Sequence, residues 1–288
     1  MRFTLNLTDD SNTHIKYQIS KFPDGQQSIT ITDISEYTKN IKSNPIIQIS
    51  SRMNSFKDVE LIICANQTLR EMGIENIELY VPYFIGGRSD RKFFNGSTNY
   101  LKNVICPIIN SQGFKKVHVV DPHSDVLEAC LTNFVKINNF HLVDDALSYL
   151  IGDGEEDKVV LVSPDAGAYK KVYDVAKEFN IEKIITANKV RDMKTGNIIR
   201  TEIPTLDQHN DLMYVIVDDI CDGGRTFVEL AKVIKDSRPT AKVHLVVTHG
   251  IFSAGFGELN KYFEGIYTTN SIANSFEGGD IVKIKTIF

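Results

Sequence analysis

The chain has 288 residues, enough for two domains of ordinary size with ample core, and its 42% apolar and 24% charged shares are those of a water-soluble globular protein. A net charge of −5 offers no broad affinity for nucleic acid or anionic membrane, so any basic cluster has to act locally. No apolar run approaches bilayer length and the N-terminus carries no signal-peptide pattern, which makes the cytoplasm the expected compartment. The four cysteines, Cys64, Cys106, Cys130 and Cys221, are far apart with no Cys-x-x-Cys, against a zinc site or a disulfide framework.

In chain order, β-branched and apolar runs predict strands over 2–7, 15–19, 28–32, 46–49, 77–80, 116–120, 159–162, 183–187, 214–217, 243–247 and 281–283. Apolar residues at helical spacing predict helices over 56–72, 100–112, 124–131, 146–150, 167–179 and 227–235. The first 45 residues read as a small antiparallel start. From residue 46 onward strands and helices alternate, the pattern of parallel sheets with helices on both faces. Residues 152–157, Gly-Asp-Gly-Glu-Glu-Asp, form a polar, turn-rich stretch near the middle. With the change of pattern before it, they predict a boundary near residue 142 and two similar α/β halves, 1–142 and 143–288, facing a cleft. Residues 189–205 are largely polar around Thr195-Gly196-Asn197 and read as a flap.

The most informative stretch is 214–227. An apolar run ends in Asp218 and Asp219; then come Asp222, the pair Gly223-Gly224, Arg225 and Thr226, and an apolar-periodic helix. Adjacent charges after a buried strand are costly unless something uses them. Glycines before a helix start let backbone N–H groups wrap an anion. Acids for ring hydroxyls beside amides for a phosphate suit a sugar phosphate, although a strand, turn and capped helix without function would look much the same. Cys221 lies inside this loop, where neighbouring acids raise a thiol pKa and disfavour a nucleophile.

Six further segments complete a pattern. They are Phe22-Pro23-Asp24-Gly25, Pro82-Tyr83-Phe84 with Arg88-Ser89-Asp90-Arg91-Lys92, Asp121-Pro122-His123-Ser124, Ser163-Pro164-Asp165-Ala166-Gly167, Lys189-Val190-Arg191-Asp192 and Thr248-His249-Gly250-Ile251-Phe252-Ser253. With them, the chain resembles ribose-phosphate diphosphokinases over most of its length.

That resemblance implies an α/β fold of two phosphoribosyltransferase-like domains, with active sites formed between subunits of a homo-oligomer (dimer or hexamer). It also implies transfer of the β,γ-diphosphate of MgATP to the anomeric hydroxyl of ribose 5-phosphate. Phe22, Asp24, Gln26, Arg88, Ser89, Asp90 and Arg91 would then contact ATP, and His123 and Asp165 would hold Mg²⁺. Lys189 and Arg191 would close over the triphosphate as charge builds on the transferred group. Asp218 and Asp219 would bind ribose hydroxyls, and Asp222, Gly223, Gly224, Arg225 and Thr226 would cradle the 5-phosphate.

The sequence departs from the family at Gln26 for a usual glutamate, at Ser89 for a glutamine, at Gly86-Gly87, and in the loop, where Asp-Thr-Gly-Gly-Thr becomes Asp222-Gly223-Gly224-Arg225-Thr226. A gained arginine suggests an acceptor with a second phosphate, such as ADP-ribose. Two other classes stay open: a non-catalytic regulatory homologue, and a phosphoribosyltransferase that shares only the acidic loop.

Overall fold

The computed structural model describes every residue except 152–155, 192–197 and 205–211, with backbone only for 189–191 and 198–201. The chain divides into two compact units, Met1–Asn138 with Ile287–Phe288, and Asn139–Thr286.

In the first unit a parallel five-stranded sheet runs in the order β1 (Arg2–Asn6), β4 (Ile46–Ser50), β5 (Ile77–Tyr80), β6 (Val117–Val120) and β7 (Phe134–Ile137). The antiparallel start reduces to a hairpin of β2 (Lys16–Lys21) and β3 (Gln27–Asp33), because β1 pairs parallel with β4 instead. A short α1 (Ser35–Lys39) follows the hairpin. The longest helix of this unit, α2 (Phe56–Glu71), begins where the Asp58 carboxylate accepts the N–H groups of Asn54 and Ser55, each at 2.8 Å. Its Val59, Ile62, Ala65 and Leu69 pack in the same core as Leu5, Ile47, Ile49 and Leu79.

The single helix expected over 100–112 is a π-turn, Leu101–Ile105, followed by α3 (Cys106–Asn110). Pro107 is the reason: it has no N–H to donate back along the ladder. Helix α4 (Val126–Cys130) then leads to β7.

The second unit opens with α5 (Phe140–Leu150). The boundary expected near 142 would cut this helix, whose Leu142 and Val143 belong to the second unit's core. The remaining elements are β8 (Val159–Ser163), α6 (Tyr169–Glu178), β9 (Ile184–Thr186), the hairpin β10 (Asn188–Arg191) and β11 (Ile198–Glu202), β12 (Met213–Cys221), α7 (Arg225–Ser237), β13 (Lys242–Gly250), α8 (Leu259–Tyr262), β14 (Gly265–Thr269) and β15 (Val282–Lys285). Strand order is β15-β14-β13-β12-β8-β9, all parallel. One core, with α7 and α8, contains Ile216, Val243 and Leu245; the other, with α5 and α6, contains Leu161, Val215 and Val217. Burial on both faces is why β12 and β13 read as continuous apolar runs rather than alternating ones.

Candidate active site

Chain order and sheet order disagree at one place in the second unit. From β8 the chain moves outward to β9; it then returns to β12 on the other side of β8 and proceeds to β13, β14 and β15. Such a reversal leaves a crevice at the carboxyl ends of the two strands, where open α/β sheets bind ligands.

The acids sit there. Strand β12 does not stop at Val217 as expected: it pairs with β13 through Asp218↔Val247, Ile220↔His249 and Cys221↔Gly250. Its pairing with β8 ends earlier, at Ile216↔Val162. The acids therefore lie inside the strand, beyond the end of the shorter neighbour. Asp219 is 4% exposed, and its carboxylate lies 3.5 Å from the ammonium of Lys171 on α6. The amide of Asp219 donates to Asp218 Oδ1 at 2.9 Å. Burial first, then the charge of Asp219, pushes the Asp218 carboxyl well above the usual carboxylate range. Lys171 had no signal in the sequence, where Lys170-Lys171 looks like a solvated pair on a helix.

After β12 the loop is fastened from the side. Ser253 donates its hydroxyl to Asp222 Oδ1 at 2.6 Å and its amide to the Asp222 carbonyl at 3.1 Å. Asp222 thus ties the loop after β13 to the loop after β12. Gly224 precedes α7 with φ +78°, and a Cβ there would meet the Leu259 side chain at 3.1 Å. The Gly224 carbonyl accepts the amides of Phe227 and Val228, both at 3.0 Å. Among the described residues, the backbone N–H groups of Gly223, Gly224, Arg225 and Thr226 donate to no protein acceptor. Four successive amides at the start of a 13-residue helix form a ready anion cradle. Arg225 is 82% exposed, and its Nε lies 2.8 Å from Glu229 one turn along the helix. Cys221 is fully buried, and burial, followed by Asp218 and Asp222, pushes its thiol up to about 12.

Asp165 follows β8 across the crevice. Its Oδ1 accepts the amides of Gly167 at 3.0 Å and Ala168 at 3.1 Å, so it caps the turn into α6 while facing the ligand edge. A buried polar cluster surrounds the Thr248-His249 segment, and its partners Thr269 and Ser271 went unread in the sequence. The Thr269 hydroxyl donates to the Thr248 carbonyl at 2.7 Å, and His249 Nδ1 lies 2.8 Å from Ser271 Oγ. It locks the ends of β13 and β14 together. Its signal was the Ser/Thr/His composition at two strand ends. Of Lys189 and Arg191 only the backbone is described, as strand β10 of a hairpin; the Thr195-Gly196-Asn197 turn and the 152–155 part of the polar stretch lie outside the described residues.

In the first unit, the loops after β5 and β6 converge. A Cβ on Gly87 would lie 3.8 Å from that of His123, which is exposed after β6. Gly86 has φ +80°, and a Cβ there would collide with the Tyr100 ring at 2.5 Å, which explains why no bulkier residue stands in this position. Ser89 donates its amide to the Gly86 carbonyl at 2.8 Å and accepts that of Leu101 at 3.2 Å. Arg88 is exposed; the Arg91 guanidinium lies 5.5 Å from the Phe93 ring centre and its Nε 3.9 Å from Asp90. Phe22, Asp24 and Gln26 form the tip of the β2–β3 hairpin: Phe22 donates to the Gln26 carbonyl at 2.9 Å, and Asp24 accepts the Gln26 amide at 3.1 Å. Just behind the tip the hairpin is held to α2, where the amide and side chain of Gln27 donate to the Glu60 carboxylate. Among the described residues, no group of three or more His, Cys, Asp or Glu side chains is placed to hold a metal, and no helix is long and apolar enough to cross a membrane.

The second unit, with its acid strand, amide cradle and switch point, is a phosphoribosyltransferase-type α/β domain, and residues 135–273 match the phosphoribosyl transferase domain model. Similarity extends well beyond that domain. A ribose-phosphate pyrophosphokinase of Vibrio vulnificus is 25% identical over 263 residues, 90% of this chain and 79% of that one. One from Saccharolobus solfataricus is 26% identical over 243 residues, covering 82% and 78% of the two chains. Ribose-phosphate pyrophosphokinase A of Dictyostelium discoideum is 25% identical over 288 residues, covering 98% and 86%. The crystal structure of phosphoribosylpyrophosphate synthetase from Mycobacterium smegmatis shares the fold, with a TM-score of 0.78 at 13% identity over 99% of this chain and 94% of that one. Over most of its length the chain is similar to ribose-phosphate pyrophosphokinases, and it shares the fold of a phosphoribosylpyrophosphate synthetase.

Proposed function

We propose that the protein is a diphosphotransferase that moves the β,γ-diphosphate of MgATP to the anomeric hydroxyl of ribose 5-phosphate, releasing AMP. The observation that carries this reading is the amide run of Gly223 to Thr226, beginning four residues beyond an acid pair at the switch point whose Asp219 is buried. Amides and a helix N-terminus suit a terminal phosphate, and the acids suit ring hydroxyls on its inner side. Asp222 serves the cradle indirectly, by fixing its shape through Ser253.

Arg88, Ser89, Asp90 and Arg91 are assigned to ATP, with Phe22, Asp24 and Gln26 of the hairpin tip offered to the base. Exposed guanidinium groups suit a polyphosphate, and an arginine already lying against an aromatic ring suits a base. Lys189 and Arg191 are assigned to charge stabilisation during transfer. His123 and Asp165 are each offered as a holding group for Mg²⁺. A sparse protein shell fits an ion that keeps several waters and borrows phosphate oxygens, and Asp165 is already held in place by two amides. Bound magnesium would neutralise charge on the transferred diphosphate. The same reading places the protein in the cytoplasm as a homo-oligomer.

A second reading keeps the chemistry and enlarges the acceptor to ADP-ribose. It is favoured by Arg225, an exposed cation at the first position of α7. Offering each acceptor with ATP and magnesium and measuring AMP release separates the two. Turnover with ribose 5-phosphate alone removes the second reading; turnover with neither removes both.

A further inference from the structure

Lys171 is the third residue of α6, and its ammonium lies 3.5 Å from Asp219 Oδ2 with the lysine side chain 23% and the aspartate 6% exposed. Its neighbour Lys170 is exposed, so the two lysines serve different ends. A cation held in so little solvent costs desolvation energy that only a well-placed partner offsets. We propose that Lys171 is a positioning residue for the acceptor, fixing Asp219 as the charged member of the acid pair and, through it, the geometry with which the pair reads two neighbouring ring hydroxyls.

Two adjacent carboxyls largely out of solvent resist being charged together, so the pair shares a proton unless something breaks its symmetry. Lys171 from α6 faces the pair as a cation, and Cys221, itself acted on by Asp218 and Asp222, lies beside it on the same strand. Lys171 touches Asp219, while Asp218, which accepts the Asp219 amide at 2.9 Å, carries the raised carboxyl. One carboxylate that only accepts and one carboxyl that also donates match the mixed donor and acceptor character of a vicinal diol. The inference rests on the acceptor reading above but is tested by binding, so that the two fail separately.

Calorimetric titration of the full chain with ribose 5-phosphate, 2-deoxyribose 5-phosphate and ATP provides the test. Lys171→Met is expected to weaken ribose 5-phosphate at least 10-fold and ATP less than twofold, with Lys171→Arg restoring binding to within threefold. The preference for ribose 5-phosphate over its 2-deoxy analogue is expected to shrink at least fivefold in Lys171→Met, an outcome that a merely structural lysine would not produce. Equal weakening of both substrates, or an undiminished preference for the 2-hydroxyl, overturns the assignment. Should Lys171→Met fail to fold, Lys171→Gln carries the same measurement. Absence of any ribose 5-phosphate binding by the unaltered protein overturns it too, whereas binding without AMP release removes only the transfer reading.

Discussion

The two units use the same β-α-β grammar and place their chemistry differently. In the first unit, chain order and sheet order run together from β1 through β4, β5 and β6 to β7. No strand pair diverges, and the candidate nucleotide residues stand on loops that project from the sheet. In the second, the chain turns back between β8 and β12, and the acids sit on the strand that borders the reversal. A topological crevice lets a rigid strand carry ligand contacts; a one-way sheet leaves that task to loops. The physical consequence is a difference in tolerance. Asp218 and Asp219 are fixed by backbone pairing and a half-buried lysine, whereas Arg88 and Arg91 rest on a few turn hydrogen bonds and solvent-exposed contacts.

The sharpest way to break this contrast is at the acid strand. Asp219→Ala should raise the KM for ribose 5-phosphate by roughly 100-fold, about 3 kcal/mol, because a buried charged hydrogen-bond partner is lost. The KM for ATP should stay within about twofold. Steady-state kinetics with each substrate varied will tell; an unchanged acceptor KM would remove Asp219 from the site.

Acid stability probes the frame around that strand. His244 on β13 is 6% exposed, its Nδ1 has no hydrogen-bond partner among the described residues, and burial lowers its pKa from 6.5 to about 4. The folded state therefore refuses a proton that the unfolded chain accepts below pH 6.5. Stability from this group is intact above pH 6.5, falls as pH drops toward about 4, and levels off below, a loss of up to about 3 kcal/mol. Asp218 acts with the opposite sign, since its raised pKa favours the folded state as it protonates. Comparing urea midpoints of the parent and His244→Met at pH 7 and pH 4.5 isolates the histidine. The variant should lose less on acidification, and equal losses would show that the imidazole is protonated in the fold.

How much of this could be read beforehand follows the same division. The ordered strands were legible wherever apolar runs were continuous, as in Tyr214–Val217 and its neighbour on β13, because burial on both faces leaves no other composition. Strand β14, Gly-Ile-Tyr-Thr-Thr, was missed; its threonines look like a turn and become a strand only through pairing with β13 and β15. Helix α5 begins at Phe140, six residues before the expected start at 146, and carried the unit boundary to Asn138. In the site, the acids and glycines were plain in the sequence, but their partners were not. Lys171 lies 48 residues from Asp219, and Ser253 lies 31 from Asp222. Such pairs depend on sheet order, which periodicity does not encode.

The loop side of the contrast is sharpened by Gly86→Ala. A Cβ at this positive φ would lie 2.5 Å from the Tyr100 ring, so the ring or the loop has to shift. The expected cost is about 1–3 kcal/mol in the urea midpoint of the first unit, from backbone strain and overpacking together. An unshifted midpoint would mean that the loop gives way freely.

Arg91→Ala should have the smallest effect. Its guanidinium is 77% exposed, lies 3.9 Å from Asp90 at its Nε, and sits over Phe93, contacts worth little to folding in water. The urea midpoint should move by less than about 0.5 kcal/mol. The KM for ATP should rise by about 3–10-fold, and the difference between variant and parent should narrow as salt is raised from 50 to 300 mM (both concentrations about), because screening weakens exposed charges first. A salt-independent loss of ATP binding would place Arg91 in a desolvated contact and move the nucleotide residues to the rigid side of the comparison.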